Sequence, residues 1–248
     1  MEVNIQGAPI YFTIPLFGGI PITSTIVVTW VIMLVLTGLS IFLTRNLKVK
    51  DISRRQAVAE YLVTTAENFV IGNMGPQWDR YVPFIGALFS LSLFGSLSSL
   101  LGLYAPTADL NTELAWAIFV FVLITATKIK SGGLGGYLKG FTQPIFILTP
   151  FNIISEVATP MSMAFRHFGN IVSGYVISTL VYAALALANR ALFGILPGLL
   201  GELLGAIPFL SVGLPAVLSL YFDWFSSFMQ AFIFSMLTMM YIAAAAED

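Results

Sequence analysis

Long stretches without a charged residue constrain the fold of this chain more than any other feature. Ser24 to Thr44 (21 residues) and Val82 to Tyr104 (23 residues) contain no charge. At 1.5 Å per residue, a helix of about 20 residues crosses the ~30 Å hydrocarbon core of a bilayer. Only 9% of the 248 residues are charged, against roughly 25% in soluble domains. The sequence therefore predicts an all-α, polytopic integral membrane protein.

The chain is expected to form a single membrane domain over residues 1–248, with about five membrane helices and an amphipathic surface helix. The predicted segments are a first span over 24–44, a cytoplasmic segment with the amphipathic helix over 45–81, spans over 82–104 and 110–128, and long helices over 145–189 and 206–246. Asn111 or Thr112 is expected to cap the helix over 110–128. The glycine-rich residues 131–140 predict a flexible turn.

The last two helices are too long to cross a bilayer upright. Val157 to Asn189 holds 33 residues and Pro215 to Ala246 holds 32, which corresponds to ~50 Å of helix in each case. These helices are therefore expected to be steeply tilted, broken or partly outside the bilayer.

Arg166 is the only charged residue between Val157 and Asn189. A guanidinium keeps its charge at ordinary pH, and placing one at the bilayer centre costs from ~2.5 to more than 10 kcal/mol. Such a cost indicates a functional residue. The alternative is a side chain that snorkels to the interface from a helix that begins nearby.

Basic residues indicate the orientation of the chain in the membrane. With the N-terminus outside and the C-terminus cytoplasmic, nine of the eleven Lys and Arg residues fall in cytoplasmic loops. Outside loops then hold only Arg190, so the positive-inside rule favours this topology.

Composition also excludes several classes of function. A net charge of −1 gives no support for nucleic-acid binding, and the lack of Cys excludes thiolate chemistry. The single His167 supplies neither a catalytic metal site nor a protease constellation, so no metal and no cofactor are expected. The absence of an internal repeat weakens an interpretation as a secondary transporter.

Polar residues recur on the last two long helices. Arg166, Asn170 and Ser173 share one helical face, and Asp223 and Gln230 follow a similar pattern on the last helix. Such stripes must face protein or water, because lipid cannot satisfy them. Together they could line an ion path. For Ser173 the alternative is helix packing, and for Asp223 it is a solvated helix start.

Two motifs resemble subunit a of bacterial F-type ATP synthases. The segment from Pro160 to Asn170 ends in Arg-His-Phe-Gly-Asn, similar to the family's Arg-x-Phe-Gly-Asn signature, and Gln230-Ala231-Phe232-Ile233-Phe234 resembles its last helix. The resemblance runs from about residue 18 to the C-terminus. It implies the stator subunit of a membrane motor that couples proton flow to rotation of a c-ring, in the bacterial plasma (inner) membrane. The implied partners are the c-ring, the subunit b peripheral stalk, the rest of the F1Fo complex and membrane lipid.

The resemblance also implies site residues. Arg166 matches the stator arginine, Asn170 and Gln230 match polar residues beside it, and Glu156 matches an acidic position of the cytoplasmic half-channel. Two positions depart from the family.

Tyr175 replaces a frequent Glu, and Asp223 replaces a frequent His. We expect an ion relay in which the carboxylate has moved to the last helix. A Na⁺-coupled version of the same subunit is the alternative, because oxygen groups of Asp, Tyr, Ser and Asn suit Na⁺ as well as a proton relay.

Overall fold

The computed structural model describes residues 7–15, 18–193, 195 and 217–247. Within these residues, five helical segments are long and apolar enough to cross a membrane. The helices are α1 (Ser24–Thr44), α2 (Arg54–Met74), α3 (Val82–Leu97), α4 (Leu110–Gly140), α5 (Thr149–Phe193) and α6 (Ser226–Glu247). The all-α polytopic fold class is confirmed. The first part of the helix expected over 206–246, up to residue 216, lies outside the described residues.

A short β-hairpin precedes the helices, which the sequence analysis did not predict. Strand β1 (Ile10–Ile14) pairs antiparallel with β2 (Ile20–Thr23), with Ile14 opposite Ile20. Most of its side chains are exposed.

Turn residues set the ends of α2. The Ser53 hydroxyl accepts the Gln56 backbone N–H at 3.3 Å and caps the first turn. The helix ends at Gly75, which has a φ of +95°, a conformation that side chains with a Cβ rarely adopt.

The start and the end of α4 both differ from the sequence-based expectation. Asp109 caps the helix by accepting the backbone N–H of Asn111 at 3.0 Å. The prediction of Asn111 or Thr112 was wrong, because those residues already lie in the first turn. The turn expected over 131–140 was also wrong, since these residues continue the helix apart from a break at Gly133, where φ is +71°.

Helix α6 lies at the centre of the packing. It contacts α2, α3, α4 and α5, and the buried core includes Val70, Ile85, Val120, Met163, Phe234 and Met239. By contrast, α1 buries only three residues at its first two turns, and side chains such as Leu34 are 73% exposed. An apolar helix with so little protein contact is suited to lipid.

Candidate functional site

Arg166 lies on a face of α5 that no described element covers. Its side chain is exposed, and it makes no hydrogen bond or ion pair with any described residue. The same face is lined by exposed residues at helical spacing: Ser162, Phe165, Gly169, Asn170, Ser173, Ile177 and Leu180. The opposite face buries Met163, Ala164 and His167 in the core. Packing of that buried face therefore holds Arg166 outward.

Asn170 and Ser173 share the open face with Arg166. The Ser173 hydroxyl donates to the Asn170 backbone carbonyl at 3.2 Å. The side-chain amide of Asn170 is exposed and has no hydrogen-bond partner among the described residues. Neither side chain hydrogen-bonds to the guanidinium. The side chains of Asn170 and Ser173 are therefore available to a partner that packs on this face of α5.

Gln230 lies at a similar level along the helix axes to Asn170, but its side chain is buried inside the protein. Two contacts set the antiparallel register of α5 and the last helix: the rings of His167 and Phe234 are 5.8 Å apart, and Gly174 packs against Phe222. Gln230, between those levels, is therefore close in height to Asn170. It is only 8% exposed and makes no hydrogen bond to Arg166.

Gly174 and Phe222 are in close contact, and the next residue in the chain after each of them is Tyr175 and Asp223, respectively. Tyr175 is 54% exposed, and Asp223 is half-buried in a π-helical stretch, Leu220–Phe225, that precedes α6. The Ser219 hydroxyl donates to Asp223 Oδ2 at 2.5 Å. The structure brings the two residues to one level, with no hydrogen bond between them.

Glu156 lines a cavity of about 580 Å³ between α4, α5 and the end of α6. Its Oε2 accepts a hydrogen bond from Lys128 Nζ at 2.8 Å. Polar residues Asn152, Ser155 and Thr159 also line this cavity, and they precede Arg166 in α5 by two to four helical turns. The cavity is large enough for several waters.

The structure also shows a buried polar cluster that the sequence analysis missed. Glu113 Oε2 lies 3.1 Å from His167 Nδ1, and the side chains are 0% and 1% exposed. The contact has the distance of an ion pair but is not aligned as a hydrogen bond. Ser92 Oγ lies 3.5 Å from His167 Nε2. The only sequence signal was an acid one turn inside an apolar helix.

Further polar contacts lead from this cluster toward the loop between α3 and α4. Ser96 and Thr107 share a buried hydroxyl–hydroxyl hydrogen bond at 2.9 Å. The Thr25 hydroxyl donates to Asp109 Oδ2 at 2.9 Å and ties α1 to the start of α4. These contacts make the α1–α3–α4 junction polar inside an otherwise apolar bundle.

Comparison with known proteins identifies the family. Residues 26–243 match the family model for the ATP synthase A chain. The chain is 37% identical over 236 residues to ATP synthase subunit a 1 of Prosthecochloris aestuarii, covering 94% of this chain and 93% of that protein. It is 36% identical to ATP synthase subunit a of Albidiferax ferrireducens, covering 92% of this chain and 88% of the relative.

A third relative carries an ion preference in its name. ATP synthase subunit a, sodium ion specific, of Propionigenium modestum is 31% identical over 246 residues, with 93% of this chain and 76% of that protein covered. The chain belongs to the ATP synthase subunit a family, which is part of the Fo sector of the F1Fo complex.

Proposed function

We propose that this chain is the ion-conducting stator subunit of a bacterial F-type ATP synthase, with Arg166 as the stator arginine. The observation that carries the proposal is the exposed, unpaired Arg166 on the open and otherwise mainly apolar face of α5. A charge in a membrane span needs a partner or water. A c-ring helix that carries a carboxylate supplies such a partner when it passes this face.

The guanidinium performs two tasks in this account. A permanent cation favours the ionised form of a nearby carboxylate, so each ring carboxylate releases its proton before it passes Arg166. The same charge repels a cation that would leak directly between the two access paths. Asn170 and Ser173, on the same face, provide hydrogen-bonding groups along the passage.

Two access paths are proposed on opposite sides of Arg166. The cavity with Glu156 and Lys128 forms the cytoplasmic half-channel. The positive-inside rule supports this assignment, because Lys128, Lys130 and Lys139 lie at this end. Tyr175 and Asp223 belong to the outer half-channel, with Gln230 between them and the level of Arg166. The N-terminus is then outside and the C-terminus cytoplasmic.

The chain itself performs no nucleotide chemistry in this account. Its partners are the c-ring on the open face of α5, the subunit b peripheral stalk, the rest of the F1Fo complex and the lipid of the plasma membrane. The apolar, exposed side of α1 is available for lipid.

Sodium coupling is the second candidate, favoured by the sodium-specific relative. ATP hydrolysis by the purified complex at high pH, where protons are scarce, separates the two ions. Proton coupling predicts no stimulation by added Na⁺. Stimulation by millimolar Na⁺, with Na⁺ uptake into liposomes, would establish the sodium version.

Substitution of Arg166 tests the proposal. We expect Arg166→Ala to abolish ATP-driven acidification of inverted membrane vesicles while the complex still assembles. Arg190→Ala removes an exposed arginine near the other end of α5 and is the matched control, which should keep pumping. Pumping by Arg166→Ala at the level of the control would refute the assignment.

A further inference from the structure

Glu113 and His167 form a buried acid–base pair that the proposed mechanism does not use. They come from different helices, α4 and α5, and meet at 3.1 Å with both side chains almost fully buried. Glu113 Oε1 has no hydrogen-bond partner among the described residues. Because a buried carboxylate oxygen without a partner is costly, this oxygen calls for a proton, a water or a cation.

The surroundings of the pair contain few other charges. Among the described residues, α3 faces it with Ser92 and α6 faces it with Phe234. Arg166 directly precedes His167 in α5, but its side chain lies on the exposed face of the helix. Asp109 lies one turn before Glu113, at the start of α4. With one shared proton the pair is neutral, whether the proton sits on the carboxylate or on the imidazole. Without that proton it carries one negative charge.

A chain of polar groups connects the pair to the α3–α4 loop. Ser92 and Ser96 lie one turn apart on α3, and Glu113 lies one turn from Asp109 on α4. Residues at this spacing on a helix have Cβ atoms about 5–6 Å apart. A single water with two hydrogen bonds is long enough to span such a gap. The Ser96–Thr107 and Thr25–Asp109 contacts continue the path to the loop.

We propose that Glu113 and His167 form a proton-holding pair at the inner end of the outer access path. This inference rests on the proposed function. The pair passes its proton, through water, toward an ionised ring carboxylate, which becomes neutral. The pair is left with one negative charge and regains a proton from the outer side along the polar chain. No other atom or electron is exchanged, and the sequence runs in reverse when ATP hydrolysis drives the ring.

Two substitutions of Glu113 separate proton binding from a structural role. Glu113→Gln keeps the length and one acceptor oxygen but cannot titrate, whereas Glu113→Asp titrates but is one methylene shorter. Whole complexes are reconstituted in liposomes, F1 is removed, and proton influx under a K⁺ diffusion potential is followed with an entrapped pH dye. We expect Glu113→Gln to lower the flux at least about tenfold, and Glu113→Asp to retain more flux than Gln.

The remaining outcomes overturn the proposal. A structural pair predicts the reverse order, because Gln preserves the contact with His167 and Asp breaks it. Unchanged flux in both variants, or loss of the c-ring from both, would also contradict proton binding. Ser90→Ala is the control: its hydroxyl bonds the Gly86 carbonyl at 2.7 Å on α3, outside the pair. Loss of pumping in Arg166→Ala beside normal flux in Glu113→Gln would reject this pair and leave the proposed function intact.

Discussion

Lys128 Nζ lies 2.8 Å from Glu156 Oε2, and this ion pair joins α4 to α5 beside the cavity that both residues line. Their side chains are 24% and 16% exposed, so solvent screens the attraction only in part. We expect a coupling free energy of about 1 kcal/mol from a double-mutant cycle with Lys128→Met and Glu156→Gln. The readout is the free energy of unfolding in detergent. Additive effects of the two substitutions would show that the pair contributes nothing.

Gly174 sets the distance between α5 and the helical segment that carries Phe222. A Cβ at Gly174 would lie 3.1 Å from Phe222 Cδ1 and 3.3 Å from its Cβ. Gly174→Ala should therefore destabilise the protein by about 1 kcal/mol or more, through overpacking.

Gly38 provides the matched control for this substitution. A Cβ at Gly38, within α1, would meet nothing within 4 Å. Because Ala favours helix over Gly, Gly38→Ala should leave stability unchanged or raise it by up to about 1 kcal/mol. The thermal midpoints of the two purified variants are compared. Equal midpoints would mean that the α5–Phe222 approach is looser than the structure shows.

Asp223 and Tyr175 lie at one level, which we assign to the outer half-channel in the proposal, but their side chains differ in their capacity to carry a proton. Proton relays in pumps and transporters are built from Asp, Glu and His side chains, a set that includes the carboxyl group but not the phenol. We therefore expect Asp223→Asn to slow ATP-driven pumping several-fold more than Tyr175→Phe does. Initial rates of vesicle acidification, normalised to assembled complex, measure this. Equal and negligible effects would remove both residues from the ion path.

The sequence predicted the membrane helices well because uncharged runs of bilayer length are a local property. Helix α1 illustrates this, because its 21 residues, Ser24–Thr44, coincide with the uncharged run. Arg166 could also be recognised from the sequence, because it is the only charged residue in a long apolar segment. The expected span over 110–128 is shorter than α4, which continues to Gly140. Lys128 reaches Glu156 from within the helix, so its charge has a partner and does not stop the helix.

Contacts between distant residues could not be predicted. Glu113 and His167 are far apart in sequence, and neither falls in a spacing pattern that points to the other. Their meeting depends on the rotation of α4 and α5 about their axes, which core residues such as Val120 and Met163 determine. The same rotation turns Arg166 outward, while Gln230 turns inward. The sequence predicted that these two residues belong to one site, but only packing determines which faces they occupy.

Cysteine cross-linking to the c-ring tests most directly whether the Arg166 face of α5 meets the ring. This chain contains no Cys, so each introduced cysteine is the only one in this subunit. Ser173→Cys lies on the open face, and Met163→Cys, at a position 3% exposed, faces the core. A disulfide requires Cβ atoms about 4 Å apart. With a Cys on the ring helix near its carboxylate, mild oxidation should link Ser173→Cys to the ring and leave Met163→Cys unlinked. A ring adduct with Met163→Cys and none with Ser173→Cys would contradict the account.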